Sequence, residues 1–198
     1  IGAISEGTTN ICEGVANADF VLVATRVSVI RNQLEEIDAC IRPGTPITDA
    51  GSTKQSIVDG WEQSRSSRKG RFVGSHPLAG SHKRGPQAAD PALFEDKLTV
   101  LTPVESTPQS DTQSISAFWQ LIGAQVCHLS PSEHDRLLAS ASHAPHIVAA
   151  ALAAATPREA HRFTAGGWRD TTRIAAGDPD LWADILLDNA KAVTAQIE

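Results

Sequence analysis

Five apolar runs of strand length, spaced by helical patterns, constrain this chain more than any other feature. The first, residues 19–25, reads Asp-Phe-Val-Leu-Val-Ala-Thr. It is β-branched and apolar, as a parallel strand buried on both faces requires. Over residues 29–41, Ile30, Leu34, Ile37 and Ile41 fall on one face of a helix, and Arg42-Pro43-Gly44-Thr45 stops it. Pro46–Asp49 reads as the second strand, residues 71–75 as the third, Leu98–Thr102 as the fourth and residues 125–129 as the fifth. Helical patterns cover residues 54–61 and 114–122, with polar loops at 63–67 and 102–112. Strand, helix and strand in series predict an α/β fold, a parallel sheet with helices on its faces.

The texture changes at Ser130. Its hydroxyl suits a helix cap, Pro131 the first helical position, and Glu133 the return arm of a capping box. Only helical patterns follow. Asp178-Pro179-Asp180 repeats the start signal, with Trp182, Ile185, Leu186 and Asn189 spaced helically behind it. The predicted organisation is an α/β unit over residues 1–129 and an all-α unit over 130–198. With 198 residues, 41% of them hydrophobic, the chain can bury a core without staples. A net charge of -6 and no basic stripe argue against a nucleic-acid partner, and Lys83-Arg84 reads as a solvated pair. Cys12, Cys40 and Cys127 are far apart and form no C-x-x-C, which speaks against a disulfide framework or zinc knuckle and for a reducing cytoplasm. No apolar run reaches the ~18 residues of a membrane span; the Ala-rich run at 147–155 reads as a packed helix, so no membrane partner is expected. The chain has no Met and begins Ile1-Gly2-Ala3, so both ends read as cuts in a longer protein.

In a doubly wound sheet, ligands bind outside the carboxyl ends of the strands. Three segments fall there: Thr25-Arg26-Val27, Asp49-Ala50-Gly51-Ser52-Thr53-Lys54 and Ser75-His76-Pro77-Leu78-Ala79-Gly80. Gly51 allows a sharp turn and Ser52 suits a helix N-terminus, where free N–H groups can hold an anion. The plainer reading of that segment is a capped helix. Lys54 lacks the spacing of a phosphate-loop lysine. His76, held extended by Pro77, can accept a proton near neutral pH, although a hydrogen-bonded structural histidine fits equally. In the helical part, His143 and His146 share a face if Pro145 leaves the helix intact, and with His134 or Asp135 they form a weak metal pattern. Arg169 and Arg173 follow the Gly166-Gly167 turn and suit a carboxylate, or solvent at a helix start. Trp182, read alone, is core.

Together these pieces resemble one family. Ala18-Asp-Phe-Val-Leu-Val-Ala-Thr25, Thr48-Asp-Ala-Gly-Ser-Thr-Lys54, Gly74-Ser-His-Pro-Leu-Ala-Gly80, Ser142-His-Ala-Pro-His146 and Asp170-Thr-Thr-Arg-Ile-Ala175 stand in the order and spacing of prephenate/arogenate dehydrogenases, over nearly the whole chain. The resemblance implies a partial Rossmann-type domain followed by a helical dimerisation domain, hence a homodimer. It implies oxidative decarboxylation of prephenate or arogenate, with a hydride passed to NAD or NADP. It makes His76 and Ser52 catalytic, with His76 drawing the proton from the ring hydroxyl. His143, Arg173, Gly166 and Trp182 become substrate-binding positions, Arg173 gripping a carboxylate. Thr25, Arg26, Asp49 and Ser52 are the expected cofactor contacts, and no metal is expected. The family's opening strand and G-x-G-x-x-G turn are not found in the sequence, Arg26 stands where proline is usual, and His82 where many relatives have glutamate. Two enzyme rivals remain. A β-hydroxyacid dehydrogenase would need a lysine in the helical part, where residues 130–190 have none. A zinc hydrolase would use His134, His143 and His146. The third alternative is a dimerising module without cofactor affinity.

Overall fold

In the computed structural model, which describes residues 4–80 and 85–198, the five predicted strands form one sheet in the order β1-β2-β3-β4-β5. They are β1 (Val21–Val23), β2 (Pro46–Asp49), β3 (Arg71–Pro77), β4 (Leu98–Thr102) and β5 (Gln125–His128). β1 is shorter than its apolar run and lies at the sheet edge. Val21 and Val23 are buried there while Leu22 between them is exposed, so this strand is covered on one face rather than two. His82, Lys83 and Arg84 lie outside the described residues.

The sheet is not wholly parallel. β1, β2 and β3 run parallel, but β4 is antiparallel to β3, and β5 is parallel to β4. The reason lies in the connection: residues 78–97 contain no α-helix among those described, and a parallel return needs a crossover of that kind. The reversal has a second effect. Right-handed crossovers place α2 (Val27–Cys40) and α3 (Gln55–Glu62) on one face. Beyond β3 the strands point the other way, so α4 (Gln109–Leu121) falls on the opposite face. The core divides accordingly. Ile30, Leu34, Ile37, Ile47, Ile57 and Phe72 form one cluster, and Val73, Leu101, Ile115 and Trp119 the other, with neighbours Phe72 and Val73 pointing to opposite sides.

The helical part begins as its cap signal predicts. Ser130 Oγ accepts from the Glu133 N–H at the head of α5 (Pro131–Leu138). α5 runs through a π turn at Ala139–His143 into α6 (Ala144–Ala155), followed by α7 (Gly166–Thr172), α8 (Pro179–Asp188) and α9 (Ala190–Ile197). Pro145 does not break the helix. Having no N–H, it cannot complete the regular ladder, and the turn ahead of it widens, Ala144 N–H bonding back to Ala139 O. The continuous helix Pro131–Ala155 has 25 residues and a mean hydropathy of 1.4 in its most apolar window, long and apolar enough to span a membrane by length and composition, although polar residues interrupt it and no unbroken apolar run in it reaches ~18 residues. It nevertheless carries His134, Asp135, His143 and His146, all buried against protein. Its other side leaves Val148 and Leu152 exposed.

The two parts interlock. Ile185 of α8 enters the first core cluster. Asp188 accepts from Thr53 Oγ1 at 2.5 Å and Ser56 Oγ at 2.8 Å, and Arg26 pairs with Asp184 at 2.8 Å. One cysteine expectation is overturned. α1 (Ile11–Val15) packs along α2, and this places Cys12 and Cys40 with Cα atoms 5.2 Å apart, joined as a disulfide, while Cys127 is free. Sequence spacing could not show it, because the contact is made by helix packing. In denaturant without reductant, thiol titration is expected to find one reactive thiol per chain, and three would remove the Cys12–Cys40 bond.

Candidate active site

The carboxyl ends of β2 and β3 open into a cleft of about 990 Å³ whose far wall is the helical part. Arg26, Ser52 and His76 line it from the sheet side, and His143, Arg173 and Trp182 from the helices. His76 is carried by the last turn of strand before the chain leaves the sheet, with Pro77 still paired to Thr99. It is partly accessible to the cleft. Ser52 sits just ahead of α3, partly exposed. Glycine suits position 51 before it, because a Cβ there would lie 2.7 Å from Ile30 Cδ1 and 2.8 Å from Asp49 Oδ2 and force them to shift.

The helical wall is built from stacked rings. His146 lies flat on Trp182, 3.6 Å between centroids and 10° between planes, and His143 meets Trp182 edge-on at 6.2 Å. Gly177 makes room for that tryptophan, since a Cβ would approach its Nε1 to 2.5 Å. His143 Nδ1 is engaged by the Asn189 amide at 3.1 Å. Arg173 is exposed and makes no ion pair among the described residues, so its guanidinium is free for an anion.

The histidines are held neutral. Burial, then neighbouring His134, Lys54 and His143, press His76 well below its ordinary value. Burial takes His143 down to about 4, against a smaller opposing pull from Asp135. His146 is lowered by burial as well. Lys54, fully buried, is paired with the equally buried Asp49, and burial lowers its pKa despite that partner. Among the described residues such a cleft combines neutral proton acceptors with an exposed arginine, Arg173, that no ion pair holds, which suits an anionic ligand with a proton to give up.

Comparison with known proteins follows the same division of the chain. The family model for the nucleotide-binding domain of prephenate dehydrogenase matches residues 1–128, and that for its dimerization domain residues 130–198. The chain belongs to the prephenate dehydrogenase family. It is 41% identical to prephenate dehydrogenase of Bacillus subtilis over 96% of its own length and 53% of that protein's. It is 34% identical to cyclohexadienyl dehydrogenase of Zymomonas mobilis over 94% and 65%. It thus spans about half the length of its Bacillus relative. The structure of A. aeolicus prephenate dehydrogenase in complex with hydroxyphenyl propionate and NAD+ superposes with a TM-score of 0.87 at 34% identity, over 98% of this chain and 69% of that one.

Against the family expectations, the structure brings Ser52, His76, His143, Arg173 and Trp182 to one cleft. It keeps three others out. Asp49, expected at the cofactor, is fully buried: its carboxylate accepts from Gly51 N–H at 2.9 Å and Ser75 N–H at 3.0 Å and pairs with Lys54, so it shapes the strand end without lining the cleft. Gly166 opens α7 in an exposed position and does not line the cleft. Thr25 is exposed at the end of β1 and its hydroxyl is spent on Gln33 at 2.5 Å. Arg26 lines the cleft, but its guanidinium is committed to Asp184 and to the Asp180 carbonyl at 2.7 Å. Of the four expected cofactor contacts, Ser52 and Arg26 thus line the cleft, and the described residues supply no G-x-G-x-x-G for a pyrophosphate. No group of three or more potential metal ligands is found among the described residues, and His134 is occupied by other partners.

Sequence reasoning missed what stands behind His76. Its Nδ1 lies 2.9 Å from His134 Nε2, and His134 Nδ1 lies 2.7 Å from Asp135 Oδ1. The available signal is the adjacent His134-Asp135 pair near the start of a helix, which in the sequence alone makes only a weak metal pattern.

The neutral histidines make stability depend on pH. Below its ordinary 6.5 the unfolded chain binds a proton on His143 that the folded chain refuses until about 4. The contribution is whole above the first value and lost on descending toward the second, and His76 and His146 act in the same direction. Urea midpoints should fall between about pH 7 and about pH 4.5, and His143→Asn should shallow that fall. Identical slopes in both proteins would exclude His143 as a source.

Proposed function

We propose that this chain carries the catalytic groups of an enzyme that oxidatively decarboxylates prephenate or arogenate with hydride transfer to NAD+ or NADP+. The observation that carries the reading is the meeting of His76, Ser52 and Arg173 around one cleft at the strand ends. Family membership supports it, as does the hydroxyphenyl propionate and NAD+ named for the Aquifex structure. We take residues 1–129 as a partial nucleotide-binding unit and 130–198 as the substrate and dimerisation unit.

Arg173 grips a substrate carboxylate through a charge-assisted pair. Ser52 orients the ring hydroxyl. His76, neutral at working pH, accepts the hydroxyl proton while the hydride leaves the same ring carbon. Carbon dioxide then departs, its bonding electrons aromatise the ring, and the proton returns to the oxygen. The nicotinamide, when bound, supplies the hydride acceptor. Aromatisation provides much of the driving force, so the protein mainly positions the ring and handles the proton. A homodimer through the helical unit is supported by the domain name of its family model and by exposed Val148, Leu152 and Leu187. A soluble substrate and cofactor suit the cytoplasm; the Cys12–Cys40 bond departs from that setting.

The test is cofactor reduction by the intact protein, offered prephenate or arogenate with NAD+ or NADP+. Reduction with one pair establishes the reaction and both specificities; none with any pair, from folded protein, defeats it. His76→Asn is expected to cut kcat by at least about a hundredfold with the fold intact. Near-normal turnover would remove His76 from the chemistry. Arg173→Ala should raise KM about ten- to a hundredfold, the worth of one charge-assisted contact. An unchanged KM would put the carboxylate elsewhere.

A further inference from the structure

We propose that His134 is a positioning residue for His76, fixing its tautomer through a three-member relay that ends on Asp135. The inference rests on the proposed reaction, because it concerns the base of that reaction.

The hydrogen bonds determine where the protons sit. Asp135 stands at the head of α3, where Oδ1 accepts from Lys54 N–H at 2.8 Å and Oδ2 from Gln55 N–H at 2.9 Å. A carboxylate held by backbone donors on both oxygens has only lone pairs to offer. The 2.7 Å contact with His134 Nδ1 therefore needs the proton on that nitrogen. A neutral His134 then presents a bare lone pair at Nε2. The 2.9 Å contact with His76 Nδ1 needs one proton between the two rings, so His76 carries it. Neutral His76 is left with an unprotonated Nε2, the nitrogen not consumed by the relay. That is the form in which it can take a proton from a substrate hydroxyl.

The alternative tautomer is inert, since it would place a hydrogen on Nε2 and a lone pair toward His134. An isolated imidazole divides between the two forms, and the relay selects one. It also prepares the product of proton transfer. When Nε2 is protonated, His76 becomes a cation whose Nδ1–H already points at an acceptor, and Asp135 supplies a negative charge one ring further on. The relay is enclosed and hydrogen-bonded by the surrounding protein. His134 is fully buried and Asp135 nearly so, and Asn189 donates to the Asp135 carbonyl at 2.8 Å. The rings of His76 and His134 meet at 66° with centroids 5.1 Å apart, an edge contact that hydrogen bonding in line requires and stacking would prevent.

The test uses the intact protein, 15N-labelled at histidine, with His76 and His134 assigned from single variants. Near neutral pH both rings are expected as Nδ1–H tautomers. An Nε2–H form of His76, or a His134 imidazolium, overturns the proposal. In parallel, His134→Phe keeps the ring volume and removes the acceptor. It should lower kcat about thirtyfold, part of the 10²–10⁴ that a positioned base contributes, with KM within about twofold. His134→Gln restores an acceptor and should recover most of that loss. Wild-type kcat in the Phe variant, or no recovery in the Gln variant, sinks the relay. Should the Phe variant not fold, the spectrum of the wild type still decides. Should the wild type turn over no substrate, the proposed function fails, and the tautomers still judge the relay by themselves.

Discussion

The Asp135 carboxylate at the N-terminus of α3 is the contact on which the arrangement depends. A helix start leaves backbone N–H groups without partners, and two of them find theirs on a side chain from the other half of the protein. Charge-assisted bonds of this kind are worth roughly 1.5–3 kcal/mol each, and losing them would strand a buried charge as well. The same carboxylate fixes His134. One interaction thus closes the cap of a sheet-side helix, joins the helical part to the sheet and sets the ring behind His76. Asp188 adds a second carboxylate across the same junction, accepting from the side-chain hydroxyls of Thr53 and Ser56.

Around that junction the charges are arranged in two layers. Lys54 and Asp49 form a sealed pair beneath the strand ends, where neither meets solvent. Such pairs seldom add much net stability, because desolvating both ions offsets their attraction. What this one provides is a fixed field and a fixed backbone, since Asp49 also receives the N–H groups of Gly51 and Ser75 that bracket the Ser52 and His76 segments. Above this layer the cleft itself contains neutral imidazoles and an exposed guanidinium.

Much of this was legible in the sequence. Pro46–Asp49 and Leu98–Thr102 coincide with their strands, because bounded β-branched runs leave little freedom. Ser130 caps as its neighbours predict. Five residues read from the family pattern, Ser52, His76, His143, Arg173 and Trp182, meet at one cleft. What could not be read depends on contacts between distant segments. The reversal of β4 goes with the lack of an α-helix among the described residues between β3 and β4, and the sequence of that stretch does not announce its direction. Asp49 carries a side chain that looks available in one dimension and is enclosed in three. Cys12 meets Cys40 only through helix packing, and His134 finds His76 across 58 residues of chain.

The widened turn before Pro145 does more than spare a hydrogen bond. In a regular helix, positions 134 and 143 are nine residues apart, so at 100° per residue their side chains would leave on opposite sides, about 180° apart. A turn that takes up one extra residue sets the helix back by one step, and the separation shrinks to about 80°. Both rings then serve the same side, His134 behind His76 and His143 against Trp182 and Asn189. The π turn therefore acts as a phase corrector. A single helix supplies the buried support of His76 and the wall of the cleft, two placements that an unbroken 3.6-residue period would have set back to back.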